Sequence, residues 1–409
     1  MELHPSCRIR LTERLAEGLR KVQFKNQYFL DYLSFKSLDA CSLVLPSKIQ
    51  EGATAWISSD PLRDFSYGFI VEHLGLYAKI LSQLPKEEFP VLLSDIADTA
   101  QMAAQIVDSF ATLPWEYTVV MPFVSNGGVD FRLKQLPLSK KLSIKKSSEL
   151  SFPLPERPEL YSLAKVLEVP TDWSTDRLYL EAKLEGYIGV GTTTETIEQF
   201  YHQVRVVSGI GLAVNAFNLR LSNHSTSLMF PASLQTPLFI YRKDERGEAT
   251  GRTMYVPDRI GPLEQLELHQ NGSERTLLLP VAFGESNECS RLREAGQWYF
   301  ASSIEKSEIF EFVEAVVVLE ILFNDKATAG EVGVEKLIAN RCAYLVASST
   351  AERQEIMKEF ESIYEARSSI VHKGKARLNK AERHSLIQAK VLGAMSIERE
   401  LGMIFRSQK

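Results

Sequence analysis

The chain has 409 residues, 44% hydrophobic and 24% charged, with 47 Lys and Arg against 52 Asp and Glu and a formal net charge of -5. This is ordinary globular composition for two or three domains, and the acidic balance excludes a protein that coats nucleic acid through bulk positive charge while leaving room for a local basic site. Four scattered cysteines (Cys7, Cys41, Cys289, Cys342) form no CxxC pair, so neither a disulfide framework nor a zinc site is indicated and a reducing, cytoplasmic setting fits. Met1 to Arg20 is charged and lacks an apolar signal core, and the longest apolar run, Ala315 to Phe323, is interrupted by Glu320, so no membrane span is expected.

In chain order, a short helix is expected around Leu11 to Val22, followed by aromatic-rich text (Phe24, Tyr28, Phe29, Tyr32, Phe35) compatible with strand or helix. Between Phe65 and Leu113, with Pro85 and Pro90 as breaks, the apolar spacing predicts two helices, the second from about Val91 to Ala111. Strands are predicted at Tyr117 to Phe123, Val129 to Leu133 and Leu142 to Ile144, with a turn at Asn126-Gly127-Gly128 and a Pro-rich crossing from Phe152 to Pro158. From Arg177 the order reads strand (Leu178 to Ile188), helix (Thr194 to about Ser208), then strands around Leu219 to Leu221, Leu238 to Tyr241, Leu263 to His269 and Thr276 to Val281. After Gly284 the text is helical: Leu292 to Ser303, Ile309 to Phe323, Gly333 to Val346, Ala351 to His372 and Lys380 to Phe405.

The expected class is therefore α+β: a mixed α/β region over 1–288, with a possible break near 150–176, followed by a helical bundle over 289–409. Loss of strand signals and the Gly284-Glu285-Ser286-Asn287 junction place that boundary.

Few motifs suggest chemistry. Gly186-Tyr187-Ile188-Gly189-Val190-Gly191 precedes a helix but has neither the lysine of a phosphate loop nor GxGxxG spacing, so a tight strand-to-helix turn with a threonine cap is expected there. No HExxH pair or GxSxG elbow occurs, and His4, His73, His202, His224 and His269 stand apart from any acid, base or ligand pattern.

Arg367 and His372 are different. Arg367 lies three, four and seven residues after Tyr364, Ile363 and Phe360, inside an apolar helical stripe where a guanidinium requires a partner or ligand. His372, five positions on, projects roughly 140° away around the axis. Glu320 is likewise the single charge in its apolar run, so the two are expected to meet, with Arg341 as a rival partner for Glu320. Arg377 and His384 form a decoy pair that straddles a loop. Lys373, Lys375, Arg377, Lys380 and Arg383 make a basic edge beside His372, suited either to RNA phosphates or simply to solvent.

Trp298, Leu319-Glu320, Arg341 followed by Tyr344-Leu345, and above all Ile363-Tyr364-Glu365-Ala366-Arg367-Ser368-Ser369-Ile370-Val371-His372-Lys373-Gly374 resemble the ApeA-like branch of the HEPN superfamily over roughly 290–409. The resemblance implies a helical bundle that homodimerises so that Arg-x(4–6)-His motifs from two protomers face one cleft, and a metal-independent, cofactor-free endoribonuclease of toxin or anti-phage systems. Carried over by position, Arg367 would bind the scissile phosphate and His372 would act as general base or acid on the ribose 2′-hydroxyl or the leaving oxygen. The products would be a 2′,3′-cyclic phosphate and a 5′-hydroxyl end. Glu320, Arg341 and Ser368 would support the site, and Lys373, Lys375, Arg377 and Lys380 would bind RNA. Ser368 stands where many active members have Asn, Asp or His and cannot serve as a base; Lys373 stands where a small residue is common.

The N-terminal region is then expected to sense a trigger or restrain the ribonuclease. Two alternatives stay open: a non-catalytic HEPN module for dimerisation or RNA binding in which Arg367 only ties the bundle together, and a small-molecule or nucleotide function within 177–283.

Overall fold

The computed structural model describes residues 1–26, 29–126, 131–154, 177–190, 193–219, 237–243, 249–255, 266–324 and 334–407. The chain is α+β, with a mixed α/β N-terminal region and a helical C-terminal region. It divides into two compact units: Met1–Tyr117 with Leu184–Phe200, and Thr118–Lys183 with Tyr201–Lys409. Residue 288 lies inside the second unit.

In the first unit, helix α1 (Pro5–Leu19) opens on a proline whose missing amide is no loss in a first turn, and His4 accepts from the amide of Ser6. Leu11, Leu15 and Leu19 recur every turn and are buried. The aromatic-rich text that follows is neither one strand nor one helix. It forms β1 (Gln23–Asn26), β2 (Phe29–Leu30) and a 3-10 segment from Tyr32 to Val44. Helices α2 (Ser47–Trp56), α3 (Pro61–Glu72) and α4 (Leu74–Gln83) come next, and β3 (Val91–Leu92) pairs antiparallel with β1.

The helix expected from Val91 is corrected by this pairing. Val91 belongs to the sheet, Leu93–Ile96 make a single turn (α5), and α6 (Thr99–Ala111) starts only where the Asp98 carboxylate accepts from the amides of Ala100 and Gln101.

The glycine-rich turn also belongs to this unit, and Gly186 adopts φ +143°, a conformation only glycine takes readily. The expected threonine cap is corrected in detail. Among the described residues the buried Thr194 hydroxyl has no hydrogen-bond partner, whereas Thr196, two positions on, accepts from the amide of Tyr187 at 3.1 Å and donates to the carbonyl of Trp56 at 2.9 Å. Gly191 and Thr192 lie outside the described residues.

A second sheet, most of whose residues belong to the second unit, is built from β4 (Trp115–Ser125), β5 (Gln135–Pro137), β6 (Leu142–Lys146), β7 (Arg177–Gly186), β8 (Phe217–Leu219), β9 (Pro237–Lys243), β10 (Ala249–Tyr255) and β11 (Leu266–Leu268). Its order is β10-β9-β4-β7-β6-β5, with β11 joining β4 in parallel and β8 antiparallel to β11. One buried ion pair sits in it. Glu181 accepts from Lys145 Nζ at 2.5 Å and from the amide and hydroxyl of Ser151, both at 2.8 Å, so the charge is fully partnered and fastens the turn after β6 onto β7.

Further sequence expectations are corrected here. Residues 131–133 form no strand, and the pairing shifts to Gln135–Pro137; positions 129 and 130 and the glycines of the expected turn lie outside the described residues, as does the Pro-rich crossing from 155. Thr276–Phe283 is 3-10 helical rather than a strand. A short apolar run does not distinguish the two, and Pro280 within it lacks the amide a ladder needs.

The helices of this unit are α7 (Glu195–Ala213, which begins in the first unit), α8 (Gly272–Arg275), α9 (Asn287–Ile304), α10 (Glu308–Phe323), α11 (Val334–Val346), α12 (Thr350–Lys373) and α13 (Lys380–Ser407). Where α7 meets α9, a Cβ on Gly209 would lie 1.7 Å from the carbonyl oxygen of Gly296, so this close crossing tolerates only glycine. Among the described residues no helix is long and apolar enough to cross a membrane.

Candidate functional site

Helix α12 carries both sequence-singled residues, and its two ends are firmly set. Ser349 accepts from the amide of Glu352, and the Glu352 carboxylate returns to the amide and hydroxyl of Ser348. At the other end Gly374 takes φ +62°, the left-handed stop that places His372 and Lys373 in the last helical turn, where cations suit the helix dipole.

Phe360, Ile363, Ala366 and Ile370 bury one face of α12. Arg367, one turn after Ile363 on the same face, meets α10, where Glu320 is flanked by buried Leu319 and Leu322. Its Nη2 lies 3.3 Å from Glu320 Oε1, with the two side chains 34% and 24% exposed. Each charge thus answers the other, half-buried rather than sealed in the core.

Tyr364, one turn before Arg367, completes the cluster. Its hydroxyl is shut off from solvent with no hydrogen-bond partner within bonding geometry, and its pKa is raised by burial first and then by the Glu320 carboxylate. In the sequence Tyr364 stands out only as a member of the apolar stripe.

Arg341 donates to the carbonyl of Phe323 at 3.0 Å, closing the last turn of α10, while Glu320 takes Arg367 as its ion-pair partner. Ser368 is exposed, as are His372 and Lys373. Because α12 is continuous from Thr350 to Lys373, Arg367 and His372 keep their roughly 140° divergence, and one protomer does not aim both at one point.

The basic edge is less open than its charges imply. Lys375 is held by both carboxylate oxygens of Glu382 at 2.6 Å, and Glu382 also accepts from the amide of Asn379 while the Asn379 side chain accepts from the amide of Glu382. This reciprocal cap was readable as Asn379-x-x-Glu382. Arg383 forms a two-pronged pair with Glu308 at 2.8 and 3.1 Å. Lys373, Arg377 and Lys380 are exposed and enter no ion pair among the described residues, so they are the cations of the edge left for a polyanion. The decoy behaves as its spacing implied, with Arg377 before α13 and His384 on it. Among the described residues no group of His, Cys, Asp and Glu is placed to hold a metal, and the four cysteines are buried and free.

The chain matches no family model, no curated protein and no solved structure.

Proposed function

We propose that the helical region is a metal-independent endoribonuclease of the HEPN type, acting as a homodimer in a cytoplasmic anti-phage or toxin-like system, with the N-terminal region sensing the trigger or restraining the enzyme. The observation that carries this reading is Arg367 held half-buried by Glu320 at 3.3 Å, on the helix whose last turn presents His372 to solvent beside Lys373, Arg377 and Lys380.

A guanidinium oriented by a carboxylate is pre-formed for a phosphate, since its remaining donors keep the planar fork that matches two phosphate oxygens. In the reaction, the imidazole of one His372 takes the proton of the ribose 2′-hydroxyl. The 2′-oxygen bonds to phosphorus, the bond from phosphorus to the 5′-oxygen breaks, and that oxygen receives a proton from the His372 of a second copy. Arg367 stabilises the charge that grows on the non-bridging oxygens. The divergence of Arg367 from His372 is met by dimerisation, which brings Arg367 of one copy beside His372 of the other.

A second reading has its own observation. Glu320 already neutralises Arg367, so the pair alone would serve a non-catalytic dimerisation or RNA-binding module. Incubating the full chain with RNA in EDTA beside Arg367→Ala and His372→Ala separates the two. Cleavage by the parent that both variants lose supports the enzyme, and RNA bound but uncut by all three supports the module.

A further inference from the structure

Six arginines between Gly272 and Ser407 are half-buried: Arg275, Arg291, Arg293, Arg341, Arg353 and Arg367. Five of them bond a carboxylate or a backbone carbonyl: Arg275 with Glu398, Arg291 with Glu400, Arg293 with the carbonyls of Ala282 and Gly284, Arg341 with that of Phe323, and Arg367 with Glu320. Arg353 has neither kind of partner among the described residues, and its Nε is shut off from solvent without an acceptor. Its guanidinium lies instead over the ring of Tyr344, 4.5 Å from the centroid.

Tyr344 itself is 67% exposed, so the stack stands at the surface at the turn between α11 and α12. A cation laid on an aromatic ring loses water without meeting a counter-charge, and it remains available to an anion. The ring, for its part, offers exposed π-surface to another flat group. An aromatic platform beside an unspent arginine matches a single-stranded nucleotide, whose base stacks while its phosphate meets the guanidinium.

Position along α12 joins this stack to the candidate site. Arg353 and Arg367 are fourteen residues apart, so at 100° per residue they share one side of the helix to within about 40°, about 21 Å apart along the axis. That is the length of about six stacked nucleotides at roughly 3.4 Å per nucleotide of one strand.

We propose that the Tyr344–Arg353 stack is a binding subsite for a nucleotide of single-stranded RNA, about six stacked nucleotides from the phosphate held at Arg367. The inference rests on the ribonuclease reading of Arg367 and His372. It adds a substrate class to that reading: an unpaired strand long enough to reach both points, read here by stacking and therefore without base preference.

The test uses the full chain carrying His372→Ala, in EDTA, so that RNA is bound and not consumed. Affinities for dodecauridylate and for triuridylate, which is too short to span both points, are measured with and without Tyr344→Ala, Tyr344→Phe and Arg353→Ala. Tyr344→Ala and Arg353→Ala weaken dodecauridylate binding about 10- to 100-fold, Tyr344→Phe keeps it, and triuridylate is unaffected. Equal dodecauridylate affinity for the parent and Tyr344→Ala overturns the subsite while leaving the ribonuclease reading intact. A loss of the same size for both lengths overturns it in favour of a structural role. No dodecauridylate binding by any of the proteins, including the His372→Ala parent, overturns both.

Discussion

Glu320 and Arg367, on α10 and α12, form an ion pair at 3.3 Å, each flanked along its own helix by buried apolar residues, Leu319 and Leu322 on α10 and Ile363, Ala366 and Ile370 on α12. Partial burial makes this pair stronger than an exposed one but dearer to desolvate, so its coupling belongs between the surface and core cases. A double-mutant cycle with Glu320→Ala and Arg367→Ala, followed by denaturant unfolding, is expected to give a coupling of about 0.5–2 kcal/mol. Strictly additive losses would mean that the pair does not form in solution.

Tyr364 answers a related question. Its hydroxyl is buried near the Glu320 carboxylate but outside good hydrogen-bond geometry with any described residue, so Tyr364→Phe removes a polar group that gains little from folding. The variant is expected to be neutral or up to about 1 kcal/mol more stable. A loss above that size, read as a lower unfolding midpoint, would show that the hydroxyl bonds Glu320 strongly enough to matter.

Burial raises the Glu314 carboxyl from an ordinary value of 4.5 to about 7, with Glu305 and Glu311 pushing in the same direction. Between pH 4.5 and about 7 the folded protein keeps a proton that the unfolded chain has released, so stability falls as pH rises through that window and the penalty is complete above it. Allowing for solvent screening, the effect is on the order of 1 kcal/mol. Glu314→Gln is expected to flatten the pH dependence of the melting temperature between pH 5 and 8, and an unchanged slope would contradict the assignment.

The crossing of α7 and α9 carries the sharpest stability prediction. A methyl on Gly209 would lie 1.7 Å from the carbonyl oxygen of Gly296, a rigid backbone atom that cannot turn aside as a side chain can. Gly209→Ala is expected to cost more than about 3 kcal/mol, seen as insoluble protein or a large drop in melting temperature, whereas Gly402→Ala, with open space around its Cβ position, stays near neutral. Equal melting temperatures would show that the helices cross less closely than described.

Much of this is legible in the sequence, and the reasons are physical. Glu320 and Arg367 are each the lone charge in an apolar stretch of helix, and the cost of an unpartnered charge there leaves few arrangements other than meeting. The divergence of Arg367 from His372 follows from 100° per residue alone. Other features depend on competition that periodicity does not register. Val91 is drawn from its helical text into pairing with β1, and Thr276–Phe283 coils as a 3-10 segment because an apolar run with a proline inside fits no central strand. Lys375 reads as a free cation until Glu382 claims it, although the Asn379-x-x-Glu382 cap shows where that carboxylate points. The Arg353–Tyr344 stack needs the register between two helices, which neither helix's own pattern contains.

Divergence on one helix also predicts how defective copies combine. Arg367→Ala and His372→Ala are each expected to abolish RNA cleavage, and mixing them after unfolding and refolding together is expected to restore part of it, because one shared cleft then keeps an intact Arg367 and an intact His372 from different copies. No restoration from demonstrably mixed dimers would place both residues of a working site in one protomer.

The most direct measurement is the chemistry of the cut ends. The full chain incubated with RNA in EDTA is predicted to leave 2′,3′-cyclic phosphate and 5′-hydroxyl ends, with none produced by His372→Ala or Arg367→Ala. Equal cleavage by parent and variants, or cleavage that requires an added divalent metal and leaves 5′-phosphates, would contradict the account.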